Sequence, residues 1–198
     1  MLERTSALAL NLAAGGRDGA DGRRALAIGE VRGWQLVQLG VFAGHEAEFA
    51  AAVGPLLAAP LPAPGAVHRS DWQCVYRIAR DQYWVVSADA AFGEQLAAAL
   101  PATVGTATSL SHSRVRIAIR GAAAPAMLAK LLSVDLDPQR FTVGQARQTA
   151  LHHSGVLCEH SAADRYDLYV MRTYAASIWE SLVDAALVFG YDIEEMPA

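Results

Sequence analysis

Positive charge of one kind is nearly missing from this 198-residue chain: Lys130 is its only lysine, set against 15 arginines, and 18% of its residues are charged. Ordinary globular domains carry about 25%. The formal net charge is −4, which argues against nucleic acid as a partner because phosphate contacts need clustered cations. Cysteine is equally scarce. Cys74 and Cys158 allow at most one disulfide, and a core of this size does not need it. No apolar run reaches the roughly 18 residues of a membrane span. The opening MLERTSALALNLAAGG carries Glu3 and too short an apolar stretch for a secretory leader. A soluble cytoplasmic protein with no membrane partner is the expectation.

What the chain has is apolar material, 53% of its residues, with 40 alanines. Surface scaling lets a chain of this length bury about 70% of its unfolded surface, enough for a sizeable core. Few lysines and many arginines match the composition of a subunit interface. A GC-rich genome would raise alanine and arginine together, so both explanations stay open.

Along the chain, GGRDGADGRR (15–24) mixes glycine with charge and has no period, so residues 1–30 are expected to form a weakly ordered arm. GWQLVQLGVF (33–42) alternates as a strand, and a helix over about 44–58 ends in APLPAPG. Strands at 73–79 and 83–87 precede a helix over about 90–100. The order then recurs. SRVRIAIRG (113–121) sets Val115, Ile117 and Ile119 on one face and Arg114, Arg116 and Arg120 on the other. A helix over about 122–132, a hairpin of 146–152 and 156–160 turning at Ser154-Gly155, a strand at 166–172 and a helix over about 174–189 follow, with Gly190 as its C′ residue. The fold class is therefore α+β: two strand-helix-strands-helix halves, about 31–108 and 109–198, in a single domain over 31–198 with largely antiparallel sheet.

The richest polar cluster is His152, His153, Cys158, Glu159 and His160, with His112 and Asp164 as conceivable additions. Zinc needs three or four such ligands converging, but alternation sends His152 and His153 to opposite faces and no ligand spacing accompanies them. Ordinary strand and turn residues are the simpler reading. Ser70-Asp71 and Ser111-His112-Ser113 hold triad residue types without a nucleophile elbow. The Gly15–Gly22 loop fits neither a P-loop nor a dinucleotide turn. Arg114, Arg116 and Arg120 suit a solvated face, a partner-facing patch or a carboxylate site. Trp34, Trp84 and Trp179 are expected in the core, whereas Trp72, in the loop HRSDWQ, is a candidate partner contact.

Several of these features together carry a family likeness. A strand ending Arg120-Gly121, a helix ending Lys130-Leu131-Leu132, Asp135-Leu136-Asp137 before Phe141 and Gly144, and Arg172 before a helix with Trp179-Glu180 resemble the gamma-subunit family of heterotetrameric sarcosine oxidases. The likeness covers the last 80 residues well and the first 110 in layout and length. The same stretch is distantly similar to the folate-binding domain of glycine-cleavage aminomethyltransferases. Those enzymes carry a catalytic aspartate in a Gly-rich hairpin, which here reads Ser154-Gly155-Val156-Leu157-Cys158-Glu159.

The likeness implies a complex that oxidatively demethylates sarcosine to glycine, passes the one-carbon unit to tetrahydrofolate and releases hydrogen peroxide. Alpha, beta and delta subunits would hold FAD, FMN, NAD and tetrahydrofolate, and this chain would supply no catalytic, cofactor-binding or metal residue. A stand-alone folate-binding protein of the aminomethyltransferase kind is the alternative, and a metal-dependent hydrolase built on His152–His160 is a third reading.

Overall fold

A computed structural model describes residues 5–9, 11–12 and 15–196; the beginning of the expected arm, with Glu3, lies outside the described residues. In chain order come β1 (Gly15–Arg17), β2 (Leu26–Val31), β3 (Gln35–Val41), α1 (Glu46–Val53), β4 (Val67–Arg69), β5 (Gln73–Ala79), β6 (Gln82–Ser87), α2 (Phe92–Ala99) and β7 (Gly105–Ser109). They are followed by β8 (Arg114–Arg120), α3 (Ala124–Leu128), β9 (Gln145–Leu151), β10 (Ser154–Ala162), β11 (Arg165–Met171), α4 (Ala175–Ala186) and β12 (Tyr191–Ile193). No helix among the described residues is long and apolar enough to cross a membrane.

The chain packs as two compact units. Among the described residues, the first gathers those up to Arg32, Ser113–Val143 and those from Arg147 to Met196, and the second Gly33–His112 with Gly144–Ala146. The first unit holds a seven-stranded sheet in the order β1-β12-β2-β8-β11-β10-β9. β1 with β12, β2 with β8, β8 with β11 and β10 with β11 pair antiparallel, and β12 pairs with β2 in parallel. The alternation of β8 and β11 puts Val115, Ile117, Ile119, Tyr166, Leu168 and Val170 on one face, against Met127 and Leu128 of α3 and Ile178, Trp179 and Leu182 of α4. All of these are buried.

The N-terminal segment corrects the expectation of a weakly ordered arm. β2 lies between β8 and β12, with Leu26 and Ile28 in the core. It escapes sequence reading because its six residues follow a glycine-rich, charged stretch and contain Gly29, which breaks the pattern. That glycine is required: a Cβ there would stand 1.9 Å from the Glu194 carbonyl oxygen. The β9–β10 hairpin is shifted too. It turns at His152-His153, with His152 at φ 52°, two residues before the Ser154-Gly155 pair expected to turn it. Histidine tolerates this left-handed region better than a β-branched residue.

Helix α4 ends at Ala186 with Leu187 as its cap, short of the expected 189, and turns at 187–189 lead to Gly190, which is therefore not its C′ residue. Gly190 adopts φ 71°, and Lys130 Nζ donates to the Ala185 carbonyl at 3.2 Å while sitting 4.9 Å from the Phe189 ring. A cation at that end of a helix offsets the partial negative charge of the last carbonyls.

The second unit has a five-stranded antiparallel sheet, β4-β5-β6-β3-β7. Val37, Leu39, Val75 and Val85 project from it onto Phe49 and Val53 of α1 and Phe92 and Leu96 of α2. Helix α1 is shorter than its apolar spacing suggests, because Gly54-Pro55 tightens the chain into a 3-10 turn.

Candidate functional site

On the other face of the seven-stranded sheet lies a cluster of charge. Arg116 is opposite Tyr169, and Asp167 is flanked by Ala118 on β8 and Glu159 on β10. Arg116 is 3% exposed, and Glu159 and Asp167 are fully buried. Arg116 Nε donates to Asp167 Oδ1 at 2.9 Å, and its guanidinium carbon lies 5.5 Å from the centre of the Tyr169 ring. Arg165 donates to both carboxylate oxygens at 3.1 Å, and the Ser161 hydroxyl also donates to Asp167 Oδ2. Burial pushes the Asp167 carboxyl up, but Arg116, Arg165 and Ser161 outweigh it and hold the group below the usual carboxylate range. The side chain stays ionised and clamped.

The arginine ladder thus divides along one strand. Arg116 is sealed in an ion pair, which overturns the solvated-face reading for that residue. Arg114 is half-buried, burial pulls its guanidinium down, and it donates to the Ser113 carbonyl and hydroxyl. Arg120 lies in the open, 3.5 Å from Glu194. Asp167 and Ser161 went unnoticed in the sequence. The available signal was a single acid inside the apolar run YDLYVM, facing the same way as the arginines once β8 and β11 are paired.

The His152–His160 cluster does not converge. His152 sits at the hairpin turn, its Nε2 3.0 Å from the Ser181 hydroxyl, and His153 is exposed. Cys158 and His160 face the helix-covered core, whereas Glu159 faces Asp167 on the opposite side. His160 stacks on Tyr166 with ring centres 4.4 Å apart, and its Nδ1 donates to the Phe141 carbonyl at 2.7 Å. Burial, aided by Glu159 and Asp167, pushes the Cys158 thiol far up, which leaves it no thiolate for chemistry at neutral pH. His112 and Asp164 are exposed. Among the described residues, no three His, Cys, Asp or Glu side chains are arranged to hold a metal ion.

The other candidates have structural partners. Ser70 Oγ accepts from the Gln73 amide and Ser111 Oγ from the Leu36 amide. Trp34, Trp84 and Trp179 are buried, and Trp84 donates to Gln38. Trp72 remains 46% exposed, edge-on to Phe92. Both cysteines are free and buried. A cleft of about 570 Å³ in the second unit is lined by residues that include Glu46, Phe49, Arg77, Arg80, Asp81 and Tyr83. Arg77 is committed there to the Tyr83 ring and to the Arg80 carbonyl.

Fold and site together define an α+β protein in which Arg116 and Arg165 hold the buried Asp167 carboxylate on one face of the larger sheet. The model of the family described as GCVT N-terminal domain matches residues 51–193, and the chain belongs to that family. Among solved structures it is similar to a chain of the heterotetrameric sarcosine oxidase from Corynebacterium sp. U-96 in complex with pyrrole 2-carboxylate, with 25% identity and a TM-score of 0.79 over 94% of this chain and 96% of that one. It shares its fold with the glycine cleavage system aminomethyltransferase T from Bartonella henselae, at 16% identity and a TM-score of 0.68, covering 98% of this chain and 59% of that one. No curated protein matches the sequence. The likeness read from residues 114–192 is borne out, as is the α+β class.

Proposed function

We propose that this chain is the gamma subunit of a heterotetrameric sarcosine oxidase and serves it as a non-catalytic, structural component in the cytoplasm. Its partners are the alpha, beta and delta subunits, which carry FAD, FMN, NAD and the tetrahydrofolate site. The reaction of the whole is oxidative demethylation of sarcosine to glycine, with the one-carbon unit passed to tetrahydrofolate and hydrogen peroxide released. The observation that carries this reading is similarity along nearly the full length of both chains, 94% and 96%. A shared domain inside a larger enzyme would leave much of the longer chain uncovered.

The chain's own residues support the non-catalytic half. At the hairpin where the aminomethyltransferase likeness implies a catalytic aspartate, Cys158 points into the core and Glu159 is fully buried opposite Asp167. Asp167 is held by two arginines. The alternative of a stand-alone folate-binding protein would have to use Glu159, the hairpin's one carboxylate, which lies buried in the sheet. Co-expression with candidate large subunits and purification through a tag on this chain tests the proposal. The expected result is a stable complex that oxidises sarcosine. A monomer that ignores those subunits, or that takes up tetrahydrofolate stoichiometrically in calorimetry, overturns it.

A further inference from the structure

Each sheet has two ends, and three of the four are protected. β1 is three residues long. β4 is covered, since its Val67 amide donates to the Gly144 carbonyl and the Ala146 amide to Gly65. β9 carries Arg147 and is bridged at Leu151 by Leu132. Short length, cover and charge are the usual means of keeping a sheet edge from recruiting another strand. β7 has none of them. Its five residues, Gly-Thr-Ala-Thr-Ser, include no charge and no proline, and Thr106, Thr108 and Ser109 are exposed.

The register shows which backbone groups are on offer. The Phe42 amide donates to the Val104 carbonyl and the Leu110 amide to Leu36, so Val104, Thr106, Thr108 and Leu110 bond inward to β3. Gly105, Ala107 and Ser109 point outward. Gly105 spends its amide on the Pro101 carbonyl. Among the described residues, nothing pairs with the outward amides of Ala107 and Ser109.

We propose that β7 is a docking edge that accepts an extended, uncharged segment of a larger partner subunit as a sixth strand of this sheet. The inference rests on the subunit reading above and adds the place of contact. A second copy of this chain is the weaker occupant. Five residues present roughly 17 Å of edge, and a strip that short buries far less than the about 1,200 Å² of a stable specific interface. A large subunit brings further surface alongside its strand, and a neutral edge matches a neutral strand through backbone bonds alone. The deficit of lysine across the whole chain agrees with surface that ends up covered.

The test uses the co-expressed complex and two variants. Ala107→Pro removes one outward amide without touching the inward ladder, a position where an edge strand tolerates proline. Thr108→Lys adds the missing guard. Circular dichroism of each free variant first establishes that it folds. The expected result is that wild type binds the large subunits, both variants bind at least about tenfold more weakly, and the Ala107 and Ser109 amides exchange at least about tenfold more slowly in the complex than in the free chain. If both folded variants bind as wild type does, or the two amides exchange equally in both states, the edge proposal fails while the subunit reading stands. If wild type does not bind, both fail. Concentration-dependent dimers of the free chain, abolished by Thr108→Lys, would replace the partner strand with a second copy and overturn the proposal.

Discussion

Replacing Asp167 by asparagine keeps its shape and removes its charge, which isolates what the buried cluster contributes. Arg116, 3% exposed, would lose its carboxylate at 2.9 Å and keep a cation in the sheet's interior. Removing one member of such a pair costs about 3–5 kcal/mol, mostly as the penalty for the stranded charge. Arg165 is 16% exposed and regains water, so it adds little to that figure. For a chain of this length each 1 kcal/mol moves the midpoint by about 2–4 °C, and the expected loss is about 10 °C by circular dichroism.

The Arg116→Met variant and the double variant complete a cycle. With the stranded cation gone, the double change should cost less than the sum of the singles by at least about 1.5 kcal/mol, within the range of directly paired groups. The pH dependence has a definite sign. The folded-state carboxyl lies below its unfolded value of about 3.9, so its stabilisation is complete above that value and vanishes as pH falls through the folded one. The gap between wild type and Asp167→Asn is therefore widest near neutrality and closes in acid. A cost under about 1 kcal/mol with an additive cycle, or a gap that does not narrow as pH falls from neutrality into acid, refutes the reasoning.

Three further expectations follow from separate features. Lys130→Ala loses both the carbonyl bond to Ala185 and the Phe189 ring, which costs about 1 kcal/mol in urea unfolding, and Lys130→Arg recovers most of it. Gly190→Ala places a Cβ 2.0 Å from the Arg23 carbonyl oxygen at φ +71°, so strain and overlap together cost at least about 2 kcal/mol, read as a lowered thermal midpoint. The two free thiols are buried and burial pushes the Cys158 thiol up; an aromatic disulfide reagent should label neither in native buffer and both after unfolding.

What the sequence made legible was local. β8 and β11 show in their two-residue alternation and α4 in its apolar stripe. What stayed hidden depends on segments far apart in the chain. β12 is three residues long and exists because β2 and β1 flank it. β7 is small and polar, and only its pairing with β3 makes it a strand. The candidate site divides in the same way. Arg116 was visible on the outward side of an alternating strand, but its burial was not. Pairing it with Asp167 required the register of two strands separated by more than forty residues. The histidines misled through proximity in sequence, since a single strand sends neighbours to opposite faces and the turn at His152-His153 takes two of them out of the sheet altogether.

The placement of β2 has a bearing on how the molecule is made. Synthesis delivers residues 26–31 early and 191–193 late, yet these two strands lie side by side in register. The second unit draws nearly all its chain from 33–112 and can close while the ribosome is still at work. The first can pair β2 with β8 once residues 114–120 emerge, but the other edge of β2 stays open until the last strand is made, an interval of roughly ten to thirty seconds at ordinary elongation rates. Over that interval Leu26 and Ile28 need shelter from other nascent polypeptides, so chaperone dependence in this protein should centre on its earliest residues rather than its longest hydrophobic segment.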